Sequence, residues 1–309
     1  MQIKILGSGA GGGFPQWNCN CTNCRQVRSG ELNGIPRSQS QVALSADNEK
    51  WILLNASPDL REQLMRDPSF HPNSRSNTEV RSTPIQSIVL TNADLDHVLG
   101  LLLMRESQKL RIYSTRQVKK ILLETNSIFG MLQQSQGQIE WEEIELEKKL
   151  PLRNVDGSET GLQMTAYSLG EKLPRYAEGM KGLNAAEGTI GLVIEGKSGK
   201  NFGFFPSVSD WSLQLESQLK NLDLVFFDGT FYEENELQES CPTARTAKQM
   251  GHLPINQSLP FLQSLDVDRK VYFHINNTNP ILNESSLAHS KVREGGVEIG
   301  YDGWETSLV

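Results

Sequence analysis

The chain has 309 residues, 37% hydrophobic and 22% charged, with a formal net charge of -7. That length and balance suit one large α/β domain with enough apolar mass for a core. The acidic surplus argues against general nucleic-acid binding, because the chain as a whole repels a phosphate backbone.

In chain order, Met1–Leu6 alternates like a strand and runs into Gly7, Gly9, Gly11, Gly12 and Gly13. An export signal would have a basic start and a longer apolar run, so a cytoplasmic location without membrane insertion is expected. The glycines complete no dinucleotide fingerprint and are read as a tight turn. Of the four cysteines, Cys19, Cys21 and Cys24 crowd together while Cys241 stands alone. A disulfide framework would spread its partners, so Cys-x-Cys-x-x-Cys is read as a thiolate claw for a structural zinc ion.

Gln41–Ala46 and Lys50–Asn55 pattern as a hairpin around Asp47-Asn48, and Asp59–Met65 as a helix stopped at Asp67-Pro68. Pro84–Thr91 is a buried strand delivering a polar loop. Gly100–Glu106 patterns as a helix, Leu110–Ser114 as a strand and Thr115–Phe129 as a helix. Ile139–Ile194 alternates in short stretches, as a second β-layer would. Leu224–Phe227 and Val271–Ile275 are buried strands, each ending in a polar cluster. No repeat or linker divides the chain, so one domain, 1–309, is expected, with a Cys-rich zinc loop at 15–25. Short strands followed by polar clusters suggest two sheets flanked by helices, with a site at one sheet edge. Alternation alone does not separate this from a doubly wound fold.

Thr91-Asn92-Ala93-Asp94-Leu95-Asp96-His97 places three metal-type side chains in one turn. Taken alone, it reads equally as a helix N-cap by Asp94 or Asp96 with His97 incidental. The segment resembles the His-x-His-x-Asp-His signature of the metallo-β-lactamase fold, an α/β four-layer αββα sandwich. On that resemblance Asn92 and Asp94 stand where the two leading histidines belong, and Asp96 and His97 match the trailing pair. His274 matches the family's final histidine. The middle histidine is missing around Asn184–Glu187, and the bridging aspartate is missing at Pro206-Ser207-Val208.

The losses fall on the first metal subsite, whereas Asp96, His97 and His274 of the second survive. Two histidines and one carboxylate are the ligand set of non-heme Fe(II) oxygenases, although zinc or manganese also suits such donors. Asp94 either adds a further ligand or orients His97, and Asn92 reads as a hydrogen-bonding residue, or as a weak ligand. Related phosphodiesterases imply that Asp228 orients His252 as a proton donor or acceptor. The alternative is that Asp228 caps a helix and His252 only packs against Pro254. The same resemblance puts the fourth zinc ligand at Asn277, with His289 or water as substitutes.

Over nearly its whole length the chain resembles the pyrroloquinoline quinone biosynthesis protein B family. The resemblance rests on Gly7–Cys19, Asn55–Asp59, Leu90–His97, Phe227–Thr230, Met250–Ile255 and His274–Pro280. It implies iron-dependent hydroxylation, by O2, of the tyrosine ring in a Glu–Tyr-derived quinone precursor. Two other readings are a metal-dependent hydrolase of phosphodiesterase type and a non-catalytic carrier in transport of the quinone or its precursor. Pro206-Ser207-Val208, where the family often has a Pro-Gly-Cys-like turn, leaves the substrate open. The oligomeric state is also open, a homodimer included.

Overall fold

Apolar runs without alternation form strands buried on both faces, and half-polar runs form edges. The computed structural model describes residues 1–72, 81–106, 108–133 and 137–309. Its backbone divides into two compact units. Unit 1 comprises Met1–Leu6, Gln41–Lys200 and Gly303–Val309, and unit 2 comprises Gly7–Ser40 and Asn201–Asp302.

In unit 1 the strands are β1 (Gln2–Gly7), β2 (Gln41–Ser45), β3 (Trp51–Leu54), β4 (Ile85–Val89), β5 (Leu110–Thr115) and β6 (Ile139–Ile144). Together with the C-terminal strand Glu305–Ser307, they form a sheet in the order Glu305–Ser307, β1, β2, β3, β4, β5, β6. The hairpin expected around Asp47-Asn48 is present, with Ser45 opposite Trp51. Asn48 adopts a left-handed φ of 65°, which asparagine tolerates in such turns. β4 lies parallel to both β3 and β5, which accounts for the buried apolar run Ile88–Leu90 at its end. Leu53, Ile88, Ile112, Val118 and Ile121 belong to the core of this unit.

Three further strands of unit 1, β7 (Lys149–Arg153), β8 (Glu159–Ser168) and β9 (Ile190–Glu195), run antiparallel. This corrects the assignment of all of Ile139–Ile194 to a second layer. β6 pairs in parallel with β5 from Leu110↔Ile139 to Thr115↔Ile144; its mostly half-buried residues are those of an edge strand. Helix lengths also differ from expectation. The segment after the polar loop is a short helix, Leu95–Val98, followed by a 3-10 turn, Leu99–Met104. The helix expected over Thr115–Phe129 ends at Glu124.

Unit 2 is built on parallel strands, β10 (Asn201–Phe205), β11 (Leu224–Asp228), β12 (Arg269–Phe273) and β13 (Glu298–Ile299). β11 has a partner on each side and is buried at every residue. Both β11 and β12 deliver polar residues at their C-terminal ends, the usual place for a site in parallel sheets. The Cys-rich segment is a loop only as far as Cys21. Helix Thr22–Ser29 starts there and carries Cys24 on its buried side.

The polar loop of unit 1 is held against the end of β3. Ala56 N donates to His97 O at 2.6 Å, and Gly100 N donates to Ala56 O at 2.9 Å. A Cβ on Gly100 would stand 2.3 Å from Ser57 O and 2.8 Å from Ala56 C, so only glycine fits. Gly100→Ala is expected to cost about 1–3 kcal/mol by overpacking. A lower urea midpoint with unchanged slope would show this, whereas an unchanged midpoint would contradict it.

Candidate metal centre

Parallel strands that end abruptly leave backbone donors and acceptors at the site, and side chains satisfy them here. In unit 1, Asn55 terminates β3 with φ 66°, a left-handed geometry that asparagine accepts more readily than most residues. Its Oδ1 accepts from both Thr91 N (2.9 Å) and Thr91 Oγ1 (3.0 Å), locking the start of the polar loop.

Beyond it, Asn92 Oδ1 accepts from Asp94 N at 3.0 Å and meets His97 Nδ1 at 2.8 Å. An amide oxygen only accepts, so His97 donates from Nδ1 and carries its lone pair on Nε2. His97 is 1% exposed, and its Nε2 lies 3.9 Å from Asp96 Oδ2. These are the tautomer and neighbour that a metal ligand needs.

Asp94 occupies the N-cap position of Leu95–Val98 but makes no side-chain cap hydrogen bond. Its carboxylate instead accepts from Asn92 Nδ2 at 3.0 Å and pairs with Lys172 at 3.4 Å. Of the two roles expected for Asp94, these contacts match the orienting one. It holds the Asn92 amide that in turn holds His97.

In unit 2, Asp228 ends β11 fully buried. Its carboxylate accepts from Val208 N (2.8 Å), Thr230 N (3.0 Å), Thr230 Oγ1 (2.6 Å) and His252 Nδ1 (2.7 Å). Burial opposes its ionisation, but His252, His274 and Thr230 outweigh that and hold its pKa below the ordinary carboxylate value. The expected pairing of Asp228 with His252 is therefore present, and Asp228 caps no helix.

Thr230 joins the second histidine to this group. With its hydroxyl proton given to Asp228, Oγ1 accepts from His274 Nδ1 at 2.8 Å. His274 thus also carries its lone pair on Nε2. The His252 and His274 rings stack at 5.6 Å, 20° apart. Ligand atoms of Asp228, His252 and His274 lie within 4.8 Å of one another. Hydrogen bonds linking Asp228, Thr230 and the two Nδ1 nitrogens account for that closeness.

His274 has φ 60°, a left-handed backbone that costs a non-glycine residue about 1–3 kcal/mol. The glycine turn helps to hold it there. Ile275 N donates to Ser8 O at 2.9 Å, and Ala10 N donates to Ile275 O at 2.9 Å. Gly9 sits at this crossing, where a Cβ would come within 3.1 Å of Ser38 O. The role expected for the glycines is borne out here in backbone terms.

The three thiols also converge, with their sulfurs within 4.8 Å of one another. Asn277 Nδ2 donates toward Cys19, Cys24 and Cys21 Sγ at 3.1, 3.3 and 3.6 Å. Neighbouring vertices of a zinc tetrahedron with sulfur and oxygen ligands lie about 3.5–3.8 Å apart. Three sulfurs capped by one amide therefore fit zinc, and rotating the amide would present Oδ1 at the fourth vertex. His289 is engaged elsewhere, its Nδ1 2.9 Å from Ile281 O. Burial pushes the Cys24 thiol up to about 11. At Cys19 hydrogen bonds from Cys21, Cys24 and Asn277 outweigh burial and lower the pKa.

Thr230 was the functional residue hardest to single out from sequence, and Thr230→Val tests it. Removing the hydroxyl leaves His274 Nδ1 and one Asp228 lone pair without this partner. Affinity for a divalent ion at His274 is expected to fall about 10–100-fold, measured by calorimetric titration of zinc-loaded protein. Affinity equal to wild type would show that the hydroxyl does not set the ring.

A model of the beta-lactamase superfamily domain matches residues 50–275. The chain is 38% identical to coenzyme PQQ synthesis protein B of Methylococcus capsulatus, and each chain is covered completely. It is likewise 38% identical to the Pseudomonas putida protein of that name, again over all of both chains. The crystal structure of Zn(2+)-bound PqqB from Methylobacterium extorquens superposes with a TM-score of 0.90, at 34% identity and full coverage of both. A diphosphatase of the PhnP family shares the fold at a TM-score of 0.67 and 17% identity. The chain therefore has the metallo-β-lactamase fold and belongs to the coenzyme PQQ synthesis protein B family.

Proposed function

We propose that this protein is a metal-dependent enzyme of pyrroloquinoline quinone biosynthesis, an Fe(II) hydroxylase acting on the tyrosine ring of a Glu–Tyr-type precursor. Membership in the family supports the pathway. One observation carries the single-ion chemistry: Asn92 gives its amide oxygen to His97, and Asp94 gives its carboxylate to Asn92 and Lys172. Dinuclear hydrolases of this fold use histidines at those two positions for a first metal. Here both side chains are turned to orienting His97, and a bridging-hydroxide mechanism lacks ligands.

In this proposal the ligands expected from the sequence, Asp96, His97 and His274, would hold the ion with two imidazoles and one carboxylate. Iron bound there supplies the redox chemistry that reaction with O2 requires. In the net reaction a ring C–H becomes C–OH, and the second oxygen atom leaves as water with two electrons from an external reductant. His252, held by Asp228 through Nδ1, keeps Nε2 for moving the phenol proton. Asp228 stays ionised and balances the charge when His252 is protonated. Asn277 with Cys19, Cys21 and Cys24 holds a structural zinc outside the reaction.

The hydrolase reading draws on the fold shared with the diphosphatase, and the carrier reading needs no catalysis at all. Among the described residues no helix is long and apolar enough to cross a membrane. We place the protein in the cytoplasm.

Oxygen uptake by anaerobically purified, iron-loaded protein with a Glu–Tyr substrate and a reductant tests the proposal. Uptake should yield a product one oxygen atom heavier per turnover and should vanish in His274→Ala. Phosphodiester cleavage by zinc-loaded protein with no uptake under iron would sink the oxygenase. Unchanged biological output from His274→Ala would favour the carrier.

A further inference from the structure

Two segments of unit 2 carry most of its chemistry: Asp228–Tyr232, with the Thr230 hydroxyl, and His274–Asn279, with His274 and Asn277. Backbone bonds tie their near ends, with Gly229 N on Phe273 O at 2.8 Å and Asn276 N on Thr230 O at 3.0 Å. Asn279 Nδ2 adds a bond to Gly229 O at 3.0 Å.

Their far ends meet on one carboxylate. Glu236 opens the short helix Glu236–Ser240 and is only 8% exposed. Its Oε2 accepts from Tyr232 N at 2.6 Å, and its Oε1 accepts from Thr278 Oγ1 at 2.6 Å. Thr278 Oγ1 in turn accepts from Asn276 Nδ2 at 2.6 Å. A buried carboxylate is unfavourable unless such bonds compensate it. Burial leaves Glu236 with a pKa raised to about 7 despite both donors. The carboxylate borders a cavity of about 440 Å³ that Cys21, Asn23 and Thr278 also line. The bonds of Glu236 go to Tyr232 and Thr278, so it acts on the thiolates and the imidazoles through the segments it braces.

We propose that Glu236 is a positioning residue that braces Asn277, the residue capping the thiolates, against the Thr230–His274 hydrogen bond, so that each metal-binding segment depends on the other. Thr278 follows Asn277 directly, and Tyr232 lies two residues beyond Thr230. A strut joining 232 to 278 therefore limits how far Asn277 can leave the thiolates and how far Thr230 can leave His274. Glutamine keeps the shape, but it offers an acceptor to Tyr232 N and an amide N–H to Thr278 Oγ1. Thr278 must then give its own proton to another acceptor. Alanine keeps neither bond.

The test uses zinc-loaded full-length protein with two readouts, zinc release to an excess of chelator and the imidazole N–H signals of ¹⁵N-histidine-labelled protein. With five histidines in the chain, the His274 signal can be assigned by comparison with His274→Ala. Glu236→Ala should release zinc about tenfold or more faster, the loss expected for charge-assisted hydrogen bonds. In the same sample the His274 Nδ1–H signal should move or broaden while zinc is still bound. Glu236→Gln should recover most of both. Thr278→Val, which retains Glu236, should speed zinc release without needing Glu236→Ala to fold. Release within about twofold of wild type in both Glu236→Ala and Thr278→Val, with an unmoved His274 signal, would overturn the proposal. Faster release with the His274 signal unmoved would also overturn it, because it reduces Glu236 to a purely local support of the zinc loop. Neither readout involves iron or oxygen, so the outcome is independent of the hydroxylase assignment.

Discussion

Burying the Asp228 carboxylate at the end of β11 is costly unless its lone pairs all find donors. Val208 N, Thr230 N, Thr230 Oγ1 and His252 Nδ1 meet that demand. The rest of the unit 2 site follows from this constraint. Because the Thr230 proton goes to Asp228, the hydroxyl oxygen is an acceptor for His274. Because both imidazoles spend Nδ1–H on this group, both carry their lone pairs on Nε2. A buried charge thus fixes two tautomers, a state that would otherwise vary with solvent exposure.

Unit 1 reaches the same result by a neutral route. Asn92 holds the Nδ1–H of His97 with an amide oxygen, and Asp94 fixes that amide from its other end. Lys172 balances the Asp94 charge. Asn92 and Asp94 together thus fix the orientation and tautomer of the His97 ring.

Much of this was legible in the sequence because strands are short and their ends are marked. The Leu224–Phe227 and Ile88–Leu90 runs announce buried parallel strands, and polar residues directly after them announce a site. The cysteine spacing announces a thiolate cluster. Residues whose role arises only from tertiary contact were harder to read. Thr230 and Glu236 look like ordinary turn and helix residues until two distant segments are brought together. The left-handed backbone of His274 has no local signal, since the glycine turn that supports it lies at the other end of the chain. The mixed pattern of β6 fits an edge strand of either layer, and only its pairing with β5 decides which. The helices Thr22–Ser29 and Leu287–Glu294 hold few apolar residues, so their periodicity does not stand out from the flanking loops.

On the function proposed above, this chain binds two chemically different ions, a zinc on thiolates and an iron on the strand-end histidines. Elemental analysis of protein loaded anaerobically with both metals tests it most directly, comparing wild type with His274→Ala and Cys19→Ser. The account predicts one zinc and one iron per chain, with iron alone lost in His274→Ala and zinc lost first in Cys19→Ser. Two zinc ions per chain in the presence of iron, both lost together when His274 is replaced, would contradict it.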